Sequence, residues 1–198
     1  MPRKTLNTLI LVFLLIALIG YVLPWIVTPA NGMQMGAYDL AEWSSLVPSV
    51  RQTAPFLWIS LALRLPLAII GFLLSIVLSI KNFRIAVAAL VIMSIALLPP
   101  LEFFTTYHDD PNYRQQFIIA ASTLLIGIAS IKRSLNTKKW LVILFSILGT
   151  IAGIVGMSQG WSLMQNYKLP MSIGIGMVAT TVGFATIAGL GILKQSRT

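Results

Sequence analysis

The sequence has no cysteine, a single histidine and few charges: Asp, Glu, Lys and Arg make up only 10% of its 198 residues. The first absence excludes a disulfide framework, thiolate metal ligation, a cysteine nucleophile and cysteine lipidation. One histidine, His108, cannot supply the paired axial ligands of a membrane-buried b-type haem. Beside Asp109 and Asp110 it reads as part of a solvated loop. Acid is scarcer than base, with 5 Asp and Glu against 14 Lys and Arg. Walker loops, H-E-x-x-H helices and G-x-S-x-G elbows are missing, and Gln159-Gly160-Trp161-Ser162 lacks the serine placement a hydrolase needs. Paired intramembrane carboxylates are missing too, so the expectation is a non-enzyme with no cofactor and no metal site.

What is present is hydrophobic. Apolar residues make up 57% of the chain, and the charge content lies far below the roughly 25% of an ordinary soluble domain. Apolar runs recur along nearly the whole length. They predict an all-α polytopic membrane bundle, a single domain over residues 1–198, with six spans at about 7–27, 56–80, 85–104, 115–131, 140–158 and 171–193. The basic start Met1-Pro2-Arg3-Lys4 resembles a signal peptide, but the run that follows ends in Thr28-Pro29 and not in a small-residue cleavage site, so it is read as an uncleaved span. The fourth span is the shortest in apolar terms and must recruit Tyr113 to Gln116, tilt, or be partly buried in the bundle.

The net charge of +9 does not indicate nucleic acid, because the basic residues lie in small groups beside apolar spans. Arg3, Lys4, Lys81, Arg84, Lys132, Arg133, Lys138, Lys139, Lys194 and Arg197 fall on one side of the layout. Only Arg51, Arg114 and Lys168 fall on the other. This bias places both termini in the cytoplasm, and the plasma membrane is the expected site of residence. Most interfacial aromatics and all five acids map to the opposite, outer side, with Trp140 marking the inner one.

In the first outer loop, residues 28–55, Asp39 and Glu42 have the spacing of a capping box. Leu40, Trp43, Leu46, Val47 and Val50 follow at helical spacing, with Pro48 interrupting. A short amphipathic helix is expected there, on the outer membrane surface or across the tops of the spans, or else an ordered loop plugging the bundle.

Arg64 is the sharpest single feature, because a charged side chain inside a span costs about 2.5–3.5 kcal/mol at the helix centre unless it is partnered. Arg64 and Glu102 lie about equally far from the hairpin at Lys81 to Arg84, so helical rise puts them at one depth. An ion pair between them is expected, with Pro66 and Pro99-Pro100 bending both helices nearby. Such a pair either lines a cavity for a ligand or a partner's charge, or merely locks the hairpin, unless Arg64 instead snorkels outward. Asp39, Glu42 and Trp43 join Arg64 and Glu102 as candidates for contact with a ligand or partner.

Ala68, Gly71, Ser75 and Ser79 continue the Arg64 face as a small, weakly polar stripe. Gly149, Gly153, Gly156 and Gly160 form a second, and Gly176 and Gly183 lie in small-xxx-small patterns with Ser172, Ala179 and Thr180. These faces predict close helix packing, within the chain or with another subunit. The expected partners are the lipid bilayer and other membrane subunits or further copies of the chain. The functional expectation is a non-catalytic subunit that packs in a larger membrane assembly and shows an ordered outer face to a partner. The alternative is a small-solute binding or transport subunit with a site near Arg64.

Overall fold

The computed structural model describes residues 3–29, 32–53, 57–168 and 170–195. The expected start of the second span at residue 56, and Arg197 in the charge count, lie outside them. The chain is a helical bundle in which, among the described residues, five helices are long and apolar enough to cross a membrane. These are α1 (Arg3–Val22), α4 (Trp58–Ser79), α6 (Pro111–Ile131), α7 (Leu135–Gln165) and α8 (Ile175–Gln195). Short helices α2 (Ala37–Leu46) and α3 (Pro48–Thr53) precede α4, and α5 (Phe83–Ala96) follows it.

The helix α4 is the core of the bundle: 78% of its apolar window is buried, against 33–44% for the other four. It is packed by α1 and α7 on one side and by α5 and α6 on the other, while α8 closes against α1 and α7. Contacts fix the directions. At one end Lys138 of α7 meets Ser79 at the close of α4, and Ile131 of α6 packs with Ala86 of α5. At the other, Gly160 of α7 meets Leu40 of α2, and Asn112 of α6 meets Arg64 of α4. So α1, α5 and α7 run antiparallel to α4, α6 and α8. We call these the basic end and the capped end.

The third expected span, 85–104, is not one helix. The helix α5 has 14 residues, about 21 Å at 1.5 Å per residue, short of a hydrocarbon core of about 30 Å. Pro99 and Pro100 end it where a bend was expected. Proline removes a helical donor and disfavours helix in the residue before it, so the chain leaves α5 and resumes as a 3-10 turn, Leu101–Phe104. Pro66 behaves otherwise, lying inside an uninterrupted α4. The helix α7 is much longer than the expected 140–158, with 31 residues. Its last turns lie beyond the apolar run, where hydropathy fails but helix does not.

A small antiparallel sheet, unforeseen in the sequence, sits at the capped end in the order β2-β1-β3. Its strands are β1 (Ile26–Thr28), β2 (Met33–Met35) and β3 (Ser172–Ile173), with Ile26 facing both Met35 and Ile173. Pro24 stops α1 short of residue 27, and the β-branched run Ile26-Val27-Thr28 suits a strand. Fully buried Trp25 anchors the corner through Nε1, which donates to the Gly20 carbonyl at 3.1 Å. The Gly174 amide donates to the Trp25 carbonyl at 2.8 Å and the Gly176 amide to Pro24 at 2.9 Å, tying the start of α8 to the end of α1.

The small-residue faces are spent inside the chain. A Cβ on Gly149 would fall 2.8 Å from the Phe184 ring, and one on Gly160 2.9 Å from Leu40. At Gly156 it would fall 3.0 Å from the backbone of Ala62 and Leu63, at Gly153 3.5 Å from Trp25. A Cβ on Gly176 would fall 2.3 Å from the Leu23 carbonyl oxygen, and one on Gly183 3.0 Å from Ala17 and from the Phe13 carbonyl.

Candidate functional site

The polar centre of the capped end is assembled from three helices. Arg64 lies two turns into α4 and is fully buried. Its Nη2 donates to Glu42 Oε1 and to Asn112 Oδ1, each at 2.6 Å, and its Nη1 donates to Gln115 Oε1 at 2.9 Å. Its guanidinium also stands 5.8 Å from the centre of the Tyr38 ring, within cation–π range. Glu42, on α2, is the counter-charge. It accepts in addition from Asn112 Nδ2 at 2.9 Å and from Gln116 Nε2.

This corrects the expected Arg64–Glu102 pair. Glu102 lies on the 3-10 turn, exposed to solvent, and equal depth does not give contact once α5 has ended at Ala96. The carboxylate comes instead from the loop before α4, folded down as α2. The capping box is corrected as well. Asp39 Oδ2 accepts from the Gly36 amide at 3.1 Å, so Gly36 is the cap and Asp39 the third helical residue, which frees Glu42 to face Arg64. Nor does α2 float on the surface: Leu40, Ala41 and Ser44 are buried, and Ser44 and Ser60 share a hydrogen bond at 2.9 Å.

The N-terminal turns of α6 supply what the sequence reading missed. Asn112, Gln115 and Gln116 recur at the i, i+3, i+4 spacing of one helix face, a polar stripe that was visible in the sequence but counted only as a weakness of the span. Asp110 caps this helix, Oδ1 accepting from the Asn112 amide at 2.9 Å, while its other oxygen takes Arg51 Nη1 at 3.1 Å. Arg51 Nε donates in turn to the Ser45 carbonyl. Trp43 is half-buried and meets Tyr167 edge-on with centroids 5.5 Å apart. Burial first, then the adjacent Glu42 carboxylate, push the Tyr38 phenol above its ordinary pKa.

The cluster is closed but not fully saturated. Tyr21 Oη, Arg64 Nε and Gln116 Oε1 are buried without a hydrogen-bond partner. His108 and Arg114 both pair with Asp109 at the exposed rim. Among the described residues no three His, Asp or Glu side chains converge as a metal site. Comparison with known proteins finds no matching family model, no matching curated protein and no matching solved structure.

Proposed function

We propose that this chain is a non-catalytic subunit of a membrane assembly, with its capped end as the docking face for a partner. The observation that carries the reading is the Glu42–Arg64 pair at 2.6 Å. It neutralises the span's buried charge within the chain and locks α2 onto α4 and α6, giving a rigid platform and leaving that charge unavailable to a solute. Exposed apolar side chains stand at the same end, among them Leu46, Trp58, Leu101 and Phe104, and these are what a partner docked there would cover.

In this reading α5 together with the turn to Phe104 makes a sixth crossing, the basic end faces the cytoplasm by the positive-inside rule, and the plasma membrane is the site of residence. Purification from native membranes in mild detergent tests it. Partner subunits at fixed stoichiometry are expected, lost on Leu101→Asp and retained on Glu102→Gln. A lone, monodisperse chain carrying a small molecule overturns it. Solute binding has one observation in its favour, an open groove of about 500 Å³ lined by Trp58, Ser158, Gln159, Ser162 and Asn166.

A further inference from the structure

The basic end holds a second buried cation, and this one has no counter-charge in the chain's side chains. Lys138 lies one turn into α7 and is only 7% exposed. Its Nζ donates to Ser79 Oγ at 2.9 Å, and that hydroxyl donates to the Ile76 carbonyl at 2.7 Å. A hydroxyl satisfies one of an ammonium's three donors and none of its charge.

No side-chain carboxylate is within reach. The chain has five, and all are at the opposite end: Asp39 on the Gly36 amide, Glu42 on Arg64, Asp109 on Arg114, Asp110 on Arg51, and Glu102 on the turn after α5. Arg64 and Ser79 alone are separated by about 22 Å along α4 at 1.5 Å per residue.

Lys138 does not sit in a sealed core. With Lys139 and Asn7 it lines a cavity of about 50 Å³ between α1, α4, α7 and α8, whose remaining walls include Leu6, Ile76 and Val142. That volume exceeds what a single water needs and admits a phosphate-sized group. The N-terminus of α7 adds the positive end of a helix dipole, so the pocket is cationic by side chain and by backbone. Trp140, 53% exposed, stands next to the two lysines, and exposed tryptophan at a span end marks headgroup depth.

We propose that this pocket binds the phosphate of an anionic lipid headgroup in the leaflet facing the basic end. Basic pockets between membrane helices recognise such headgroups, and the apolar walls receive the glycerol and the first acyl carbons. The bound phosphate supplies the charge that none of the five acidic side chains offers Lys138.

Thermal unfolding of the full chain in detergent, with phosphatidylglycerol or phosphatidylcholine titrated in, tests the proposal. Phosphatidylglycerol is expected to raise the midpoint and phosphatidylcholine to do so far less. Lys139→Gln, an exposed change that spares folding, weakens the phosphatidylglycerol response about fivefold, as does Lys138→Gln, on the order of one surface lysine's contribution. Lys132→Gln, at the same end but outside the pocket, changes it less than about twofold on the same scale. In phosphatidylcholine, Lys138→Gln has a higher midpoint than the unmodified chain, which a purely structural lysine would not give. Equal responses to the two lipids overturn the proposal, as does an equal loss with Lys132→Gln. Inorganic phosphate at matched ionic strength reproducing the whole shift overturns the lipid assignment in favour of a soluble anion.

Discussion

Glu42→Gln is the substitution that separates the observed polar centre from the pairing expected of a straight hairpin. Arg64 is fully buried and the Glu42 side chain 33% exposed, so the change keeps the shape and an accepting carbonyl while leaving a guanidinium uncompensated. Removing one member of a buried pair costs about 3–5 kcal/mol. Partial access of water to Glu42 puts the expectation at the lower edge, about 3 kcal/mol, and two charges about 4 Å apart at an effective dielectric of 20 give a similar figure of about 4 kcal/mol. For a chain of this length that is a fall in Tm of about 6–12 °C. Arg64→Met should cost less, about 1–2 kcal/mol, because Glu42 keeps its two amide donors and its water. The double variant should therefore be more stable than Glu42→Gln alone. Glu102→Gln should lie within about 0.5 kcal/mol of the unmodified chain, as an exposed surface change. Tryptophan fluorescence during heating in detergent reads all four, since Trp25 and Trp43 border the cap. A Tm for Glu42→Gln within 1 °C or so of the unmodified chain, with Glu102→Gln the damaging change, would refute the assignment.

Two further perturbations test other parts of the fold. Gly156→Ala sets a methyl 3.0 Å from the α4 backbone at Ala62 and Leu63, which cannot rotate away, and should destabilise by about 1–3 kcal/mol; Gly189→Ala in α8 meets nothing within 4 Å and should be neutral or stabilising by up to about 1 kcal/mol. Because the Tyr38 phenol is raised in the folded chain, its contribution to stability is complete below the ordinary tyrosine value of about 10 and is lost as pH rises through the higher folded value. Tyr38→Phe should flatten that alkaline decline in Tm, and an unchanged slope would exclude Tyr38 as a source.

The long helices were legible because a membrane span needs a run of apolar residues, and periodicity says little beyond that. Two failures have physical reasons. Hydropathy windows end where the hydrocarbon ends, whereas helices end where caps and prolines fall, so α7 runs on past residue 158 and α5 stops at Pro99-Pro100. The hairpin count gave Glu102 the depth of Arg64, but depth along an axis is one coordinate of three. The true counter-ion is on a loop helix 22 residues earlier in the chain, whose position no helical period links to α4. Strands of two and three residues fall below any period. The polar face of Asn112, Gln115 and Gln116, by contrast, was readable, and reading it as a face would have pointed to a polar partner inside the bundle.

The two buried cations are treated in opposite ways, and the contrast bears on where the molecule works. Arg64 is neutralised by a carboxylate that the chain folds in from its own loop. Lys138, beyond the reach of any of the five acidic side chains, is offered only a hydroxyl among the described residues. Setting topology requires lysines near the surface of the basic end, and Lys132, Arg133 and Lys139 already meet that need while exposed. Burying a further one adds a desolvation cost that topology does not require. Sequence composition drew attention to the acidic end as the working face, yet there the buried charge is cancelled, and the glycine faces that suggested subunit contacts are consumed by Phe184, Leu40 and the α4 backbone. If the capped end docks a partner, that partner covers exposed apolar side chains such as Leu101, whereas the anion proposed for the other end answers Lys138. The protein thus presents two chemically distinct surfaces, one apolar and set by a closed ion pair, the other cationic and open.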